Sequence, residues 1–128
     1  MKIFVTKNFD KWASRQKLAD VEIVFATQEM EDGLIDASLG GNVYKKRIGL
    51  HGQGKSSGVR TLVAYKKSDK IFFVYGFHKN QRVNISNKET LVLKEQAKLL
   101  FALSNTQLDA ATETGALREV AGTGENHE

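Results

Sequence analysis

The chain has 128 residues, 41% hydrophobic and 27% charged, an ordinary composition for one globular domain with enough apolar material for a core. It contains no cysteine, which excludes a disulfide framework, a thiolate nucleophile and a cysteine zinc site. The formal net charge is +4, and no segment approaches the roughly 20 consecutive apolar residues of a membrane helix, so the chain reads as a soluble cytoplasmic protein.

Lys2 to Thr6 reads as a short strand. Asn8 is placed to cap a helix in which Phe9, Trp12, Ala13 and Gln16 fall at helical spacing. Asp20 is placed to cap a second, whose Val21, Val24, Phe25 and Gln28 run towards Met30 and which Gly33 ends. The pair predicts a helical hairpin whose apolar stripe, Trp12 included, is core. Gly40-Gly41 breaks the chain ahead of three strand-like runs, Val43 to Ile48, Val59 to Lys66 and Ile71 to His78. The glycine-rich stretch 49–58 separates the first two, and Ser68-Asp69 turns the last two into an antiparallel hairpin. Ser86-Asn-Lys-Glu89 is a capping box opening a helix with Leu91, Leu93, Ala97, Leu100 and Phe101 on its apolar side. Ser104-Asn-Thr-Gln107 opens a shorter helix that Gly115 stops, after which only Leu117 and Val120 can anchor the chain. The expected class is α+β: an N-terminal strand and helical hairpin, a mainly antiparallel four-stranded sheet, and closing helices. Residues 1–120 are expected to form the domain and 121–128 a frayed tail.

Charge is segregated along the chain. Asn42 to Arg82 holds ten Lys and Arg against the single acid Asp69, whereas five basic residues face seven acidic ones before it and four face seven after it. A concentrated basic face is what a polyanion needs, because Lys and Arg neutralise phosphates and release counterions. Lys66, Lys67 and Lys70 crowd a turn and read as solubilising charges. Arg47, Arg60 and Arg82 carry the guanidinium fork that suits phosphate.

Gly49 to Ser56 satisfies the phosphate-loop pattern to the letter, but that motif enters a helix and this one enters the strand from Val59, so a nucleotidase is not the favoured reading. A glycine-rich hairpin loop presenting Lys55 and His51 to an anion fits better. His51, His78 and His127 lie too far apart in kind and place for a metal cluster, and no metal or cofactor is expected. His78, beside Lys79 and Arg82, is a candidate acid or base, or simply a polar strand end. On RNA, cleavage by the 2′-OH needs a base, charge stabilisation of the phosphate and a proton for the leaving 5′-oxygen; Lys, Arg, His and Tyr supply all three without a metal. Tyr44, Tyr75 and Phe77 can stack a base, although strand aromatics are more often core. Alternation puts Arg60 on one face with Leu62 and Ala64, so it projects beside small apolar residues, as a positioned arginine does.

The element order, together with Leu39-Gly-Gly-Asn-Val-Tyr-Lys-Lys-Arg47, Gly54-Lys-Ser-Ser-Gly-Val-Arg-Thr-Leu62, Phe73-Val-Tyr-Gly-Phe-His-Lys-Asn80 and the Leu-rich helix after Lys88-Glu89, resembles the RelE/ParE toxin superfamily. More closely, it is similar to RelE/HigB-like toxins of type II toxin–antitoxin modules, over about residues 2 to 120. The resemblance implies a basic toxin that enters the ribosome and cuts mRNA without a metal, neutralised by a cognate antitoxin. It implies catalysis by Arg60, with Lys45, Arg47 and Lys55 aiding deprotonation or charge stabilisation and His78 as a further candidate. RNA contacts would come from Lys46, Lys79, Arg82 and Tyr75. His78 or Lys79 stands where the family commonly has an arginine, and Val83 to Ser86 holds no tyrosine where one is often found. The alternative is a noncatalytic binder, either a ParE-like protein acting on gyrase or a degenerate toxin that binds antitoxin alone.

Overall fold

The computed structural model describes residues 1–49, 58–78 and 85–121. In chain order these form β1 (Lys2–Thr6), α1 (Lys7–Arg15), α2 (Asp20–Glu31), β2 (Ala37–Gly40), β3 (Val43–Ile48), β4 (Val59–Lys66), β5 (Lys70–His78), α3 (Asn87–Phe101), α4 (Asn105–Thr114) and β6 (Leu117–Val120). The strands make one sheet in the order β2-β3-β4-β5-β1-β6. β1 runs parallel to β5, and every other neighbouring pair is antiparallel.

The α+β class stands, with six strands among the described residues instead of the four expected. β2 hides in Ala-Ser-Leu-Gly, which has no β-branched residue, and it exists because Gly40, Gly41 and Asn42 take positive φ values of 86°, 60° and 64° to close a tight hairpin onto β3. β6 is what Leu117 and Val120 anchor: they lie in opposite cores, and the strand pairs antiparallel with β1 from Thr6 to Ile3.

Helix starts follow local chemistry. Thr6, the last residue of β1, caps α1 by accepting the Phe9 N–H at 3.2 Å, so Asn8 falls inside the first turn. Asp20 likewise lies within α2, whose preceding Ala19 donates its N–H to Glu22 at 2.8 Å. Both capping boxes form as expected, Ser86 with Glu89 and Ser104 with Gln107. Gly115 ends α4 in the left-handed conformation, φ 86°.

Two apolar cores lie on the two faces of the sheet. The α1–α2 hairpin covers the first with Phe9, Ile23, Ala26 and Met30 over Val5, Val63, Ile71 and Phe73. α3 and α4 cover part of the second, with Ala97 and Leu108 over Phe4, Val43, Ala64 and Phe72. The adjacent Phe72 and Phe73 enter opposite cores: the Phe72 ring stacks on Phe4 at 5.2 Å, and Phe73 meets Phe9 at 5.5 Å. Tyr65 straps α2 to the sheet by donating its hydroxyl to Glu31 at 2.6 Å.

Candidate nucleic-acid interface

Cross-strand register assembles the site. On the face that α3 shares, the row Val43–Ala64–Phe72 is followed by Lys45–Leu62–Tyr75 and Arg47–Arg60–Phe77, in which Leu62 and Phe77 are buried and the basic residues stand beside them. Rows on one face are about 6.6 Å apart along the strands, and neighbouring strands about 4.8 Å apart. Arg47, Arg60 and Lys45 therefore share a patch about the size of one nucleotide.

An irregularity in β5 makes this patch possible. The register shifts between Leu62 and Val63, so that Leu62 pairs with Tyr75 but Val63 pairs with Phe73, and Val74 is the inserted residue. The shift returns Tyr75 to the face of Leu62 and Phe77 to that of Arg60, with their rings 6.0 Å apart. Gly76 then faces α1, where a Cβ would stand 2.2 Å from the Trp12 ring. Gly58 has a comparable constraint at the start of β4: a Cβ there would lie 2.0 Å from the Ile48 carbonyl oxygen.

The two arginines are held differently. Arg47 donates its backbone N–H to Asp36 at 2.6 Å and its Nε–H to the same carboxylate at 3.0 Å, which fixes the guanidinium at the edge of the patch. Arg60 is half-buried, and no described residue accepts a hydrogen bond from its buried Nη1. A desolvated guanidinium nitrogen without an acceptor is costly, and like charges on directly opposed strand positions repel. One anion set between Arg47 and Arg60 relieves the repulsion. Lys45 is half-buried in the adjoining row, and Tyr75 is 40% exposed beside it.

Several expected residues lie elsewhere. Lys46 faces α2 and is 1% exposed; its ammonium pairs with Glu29 at 2.9 Å and donates to the Leu34 carbonyl at 3.2 Å. Its charge is consumed inside the protein, which replaces the expected RNA contact with a structural role. His78 also faces the α1 side, hydrogen-bonded through Nε2 to Gln16 Oε1 and set edge-on to Trp12 at 6.3 Å, so the sheet separates it from Arg60. Tyr44 packs against Tyr65 on that same face, 5.6 Å between rings, and is core rather than a stacking platform. Lys55, Lys79 and Arg82, with His51 and the phosphate-loop pattern through Ser56, lie outside the described residues.

Asp36 and a basic ridge on α1 escaped sequence reasoning. Asp36 becomes visible only when β2 is recognised, because the hairpin with β3 brings it to Arg47. Lys7, Lys11 and Arg15 repeat every four residues along α1 and line a groove of about 1010 Å³ whose floor includes Tyr75 and Phe77. Helical spacing was the available signal, masked by the net acidity of the surrounding segment.

Residues 1–120 match the model of one protein family, described as the RelE toxin of the RelE/RelB toxin–antitoxin system. No curated protein matches the chain. A family match over nearly the whole chain establishes that the protein belongs to the RelE toxin family.

Proposed function

We propose that this protein is the toxin of a type II module, a ribosome-dependent, metal-independent mRNA endonuclease restrained by a cognate antitoxin. The observation that carries the reading is the cross-strand placement of Arg60 directly opposite Arg47 and diagonal to Lys45. A phosphodiester there accepts from both guanidiniums, which counter the negative charge that builds on the phosphorus-bound oxygens as the 2′-oxygen attacks. Attack breaks the bond to the 5′-oxygen and leaves a 2′,3′-cyclic phosphate and a 5′-hydroxyl. Lys45 or Lys55 takes the 2′ proton; with His78 behind the sheet, the Tyr75 hydroxyl or the Lys45 ammonium returns one to the leaving oxygen. Lys7, Lys11 and Arg15 extend the basic surface for the flanking strand or ribosomal RNA.

The test is induced expression in bacterial cells, with growth followed and transcript 5′ ends mapped, wild type beside Arg60→Ala. Growth arrest with new 5′ ends inside translated codons, both lost in the variant, is the expected result. His78 turned away from Arg60 favours one second reading, a noncatalytic binder of gyrase or of antitoxin alone. Intact transcripts would point to it, with DNA-damage signalling marking the gyrase form.

A further inference from the structure

Beside the arginine row, the start of α3 and the strands enclose a hollow of about 300 Å³, lined by Leu62, Tyr75, Ile85, Lys88, Val92 and Leu93, with Glu89 at its rim. We infer that this hollow receives the nucleobase adjoining the phosphate at Arg60, and that Lys88 reads the acceptor edge of that base. The inference rests on the RNA reading above and adds to it a specificity subsite.

Size, position and chemistry converge on this guest. The volume is at the small end of ligand pockets, right for one ring system rather than a cofactor. Leu62 is the floor and lies two residues from Arg60 on the same strand face, about 6.6 Å away, a span one nucleotide covers from phosphate to base. The walls are almost wholly apolar, and Tyr75 offers a ring on which a base can stack. Val92 is 60% exposed and Tyr75 40%, so a flat apolar guest has surface to cover. The polar groups at the mouth come from the first turn of α3. The reciprocal bonds of Ser86 and Glu89, 2.9 and 3.1 Å, fix the backbone there and so fix where Lys88 starts. An ammonium donates to base carbonyl and ring-nitrogen acceptors, which differ in number and place between bases.

The experiment titrates short RNAs, 2′-O-methylated at the cleavage position and differing in one base, into the full chain while methyl NMR signals are followed. Saturable shifts are expected at Ile85, Val92 and Leu93, with affinities that differ between bases. Val92→Trp fills the hollow from an exposed helix position and is expected to abolish those shifts; Lys88→Ala is expected to flatten the differences between bases. In parallel, 5′-end maps from cells expressing both variants should show a changed base distribution at one flanking nucleotide. Shifts confined to the arginine row, or variant maps identical to wild type, overturn the subsite and leave the nuclease reading intact. No cleavage and no RNA-induced shift anywhere overturns both.

Discussion

Arg47 and Lys46 are neighbours in sequence and opposites in use. Alternation sends Arg47 to the open face, tethered by Asp36, and Lys46 beneath α2 to Glu29. Glu29→Ala would strand a buried ammonium, and we expect a loss of about 3–5 kcal/mol in chemical denaturation, whereas Lys46→Met with Glu29→Leu should recover most of it. Arg60→Ala removes a nitrogen that has no acceptor among the described residues, so stability should change by less than about 1 kcal/mol while cleavage falls about 10²–10³-fold. A large loss of stability in that variant would mean the arginine is structural. At this scale the sequence was informative about Arg60, because its partners Leu62 and Ala64 fix the face. Alternation sets Lys46 on the opposite face from Lys45 and Arg47, but only the packing of α2 shows which of the two faces is covered. Arg82, Lys79 and Lys55 remain sequence assignments.

Among the elements, β5 decides the geometry. A regular strand would alternate Phe73, Tyr75 and Phe77 to one side, and the inserted Val74 is what separates Phe73 from the other two. Nothing in Phe-Phe-Val-Tyr-Gly announces a bulge except the glycine, whose reason is the Trp12 ring. Gly76→Ala is expected to cost about 1–3 kcal/mol by overpacking and to lower activity further by moving Tyr75 and Phe77, measured as melting temperature beside cleavage rate. β6 was legible only as two anchoring residues, yet it is fixed by Arg118, which forks between Asp10 at 3.0 Å and Asp20 at 2.9 Å. The Arg118 hydrogen bond holds the Asp20 carboxyl below its ordinary 3.8, although burial opposes it. A depressed carboxylate stabilises the fold above its unfolded value and stops doing so as pH falls through the folded value. Arg118→Ala should therefore cost about 1 kcal/mol near neutral pH, the partners being partly solvated, and the gap from wild type should close below pH 3.8. A gap that widens in acid would contradict this.

Taken whole, the molecule divides its work between the two faces of one sheet. The helical hairpin face is a packed core that consumes Lys46 and His78, and the other face carries Arg47, Arg60, Lys45 and Tyr75 beside the buried Leu62 and Phe77. Local patterning made the existence of the helices and of the three central strands readable, although Asn8 and Asp20 are not caps and Val21 and Phe25 of the expected stripe are exposed. The edge strands were not readable, because β2 depends on a turn and β6 on β1, which lies over a hundred residues away. Chain-level charge singled out the central strands and passed over the basic ridge of α1. The most direct test of the account is cleavage of a single mRNA on purified ribosomes by the wild type and Arg60→Ala, with product ends identified. Wild-type products ending in a 2′,3′-cyclic phosphate and a rate at least 100-fold lower in the variant are the prediction; equal rates, or no cleavage by the wild type, would contradict it.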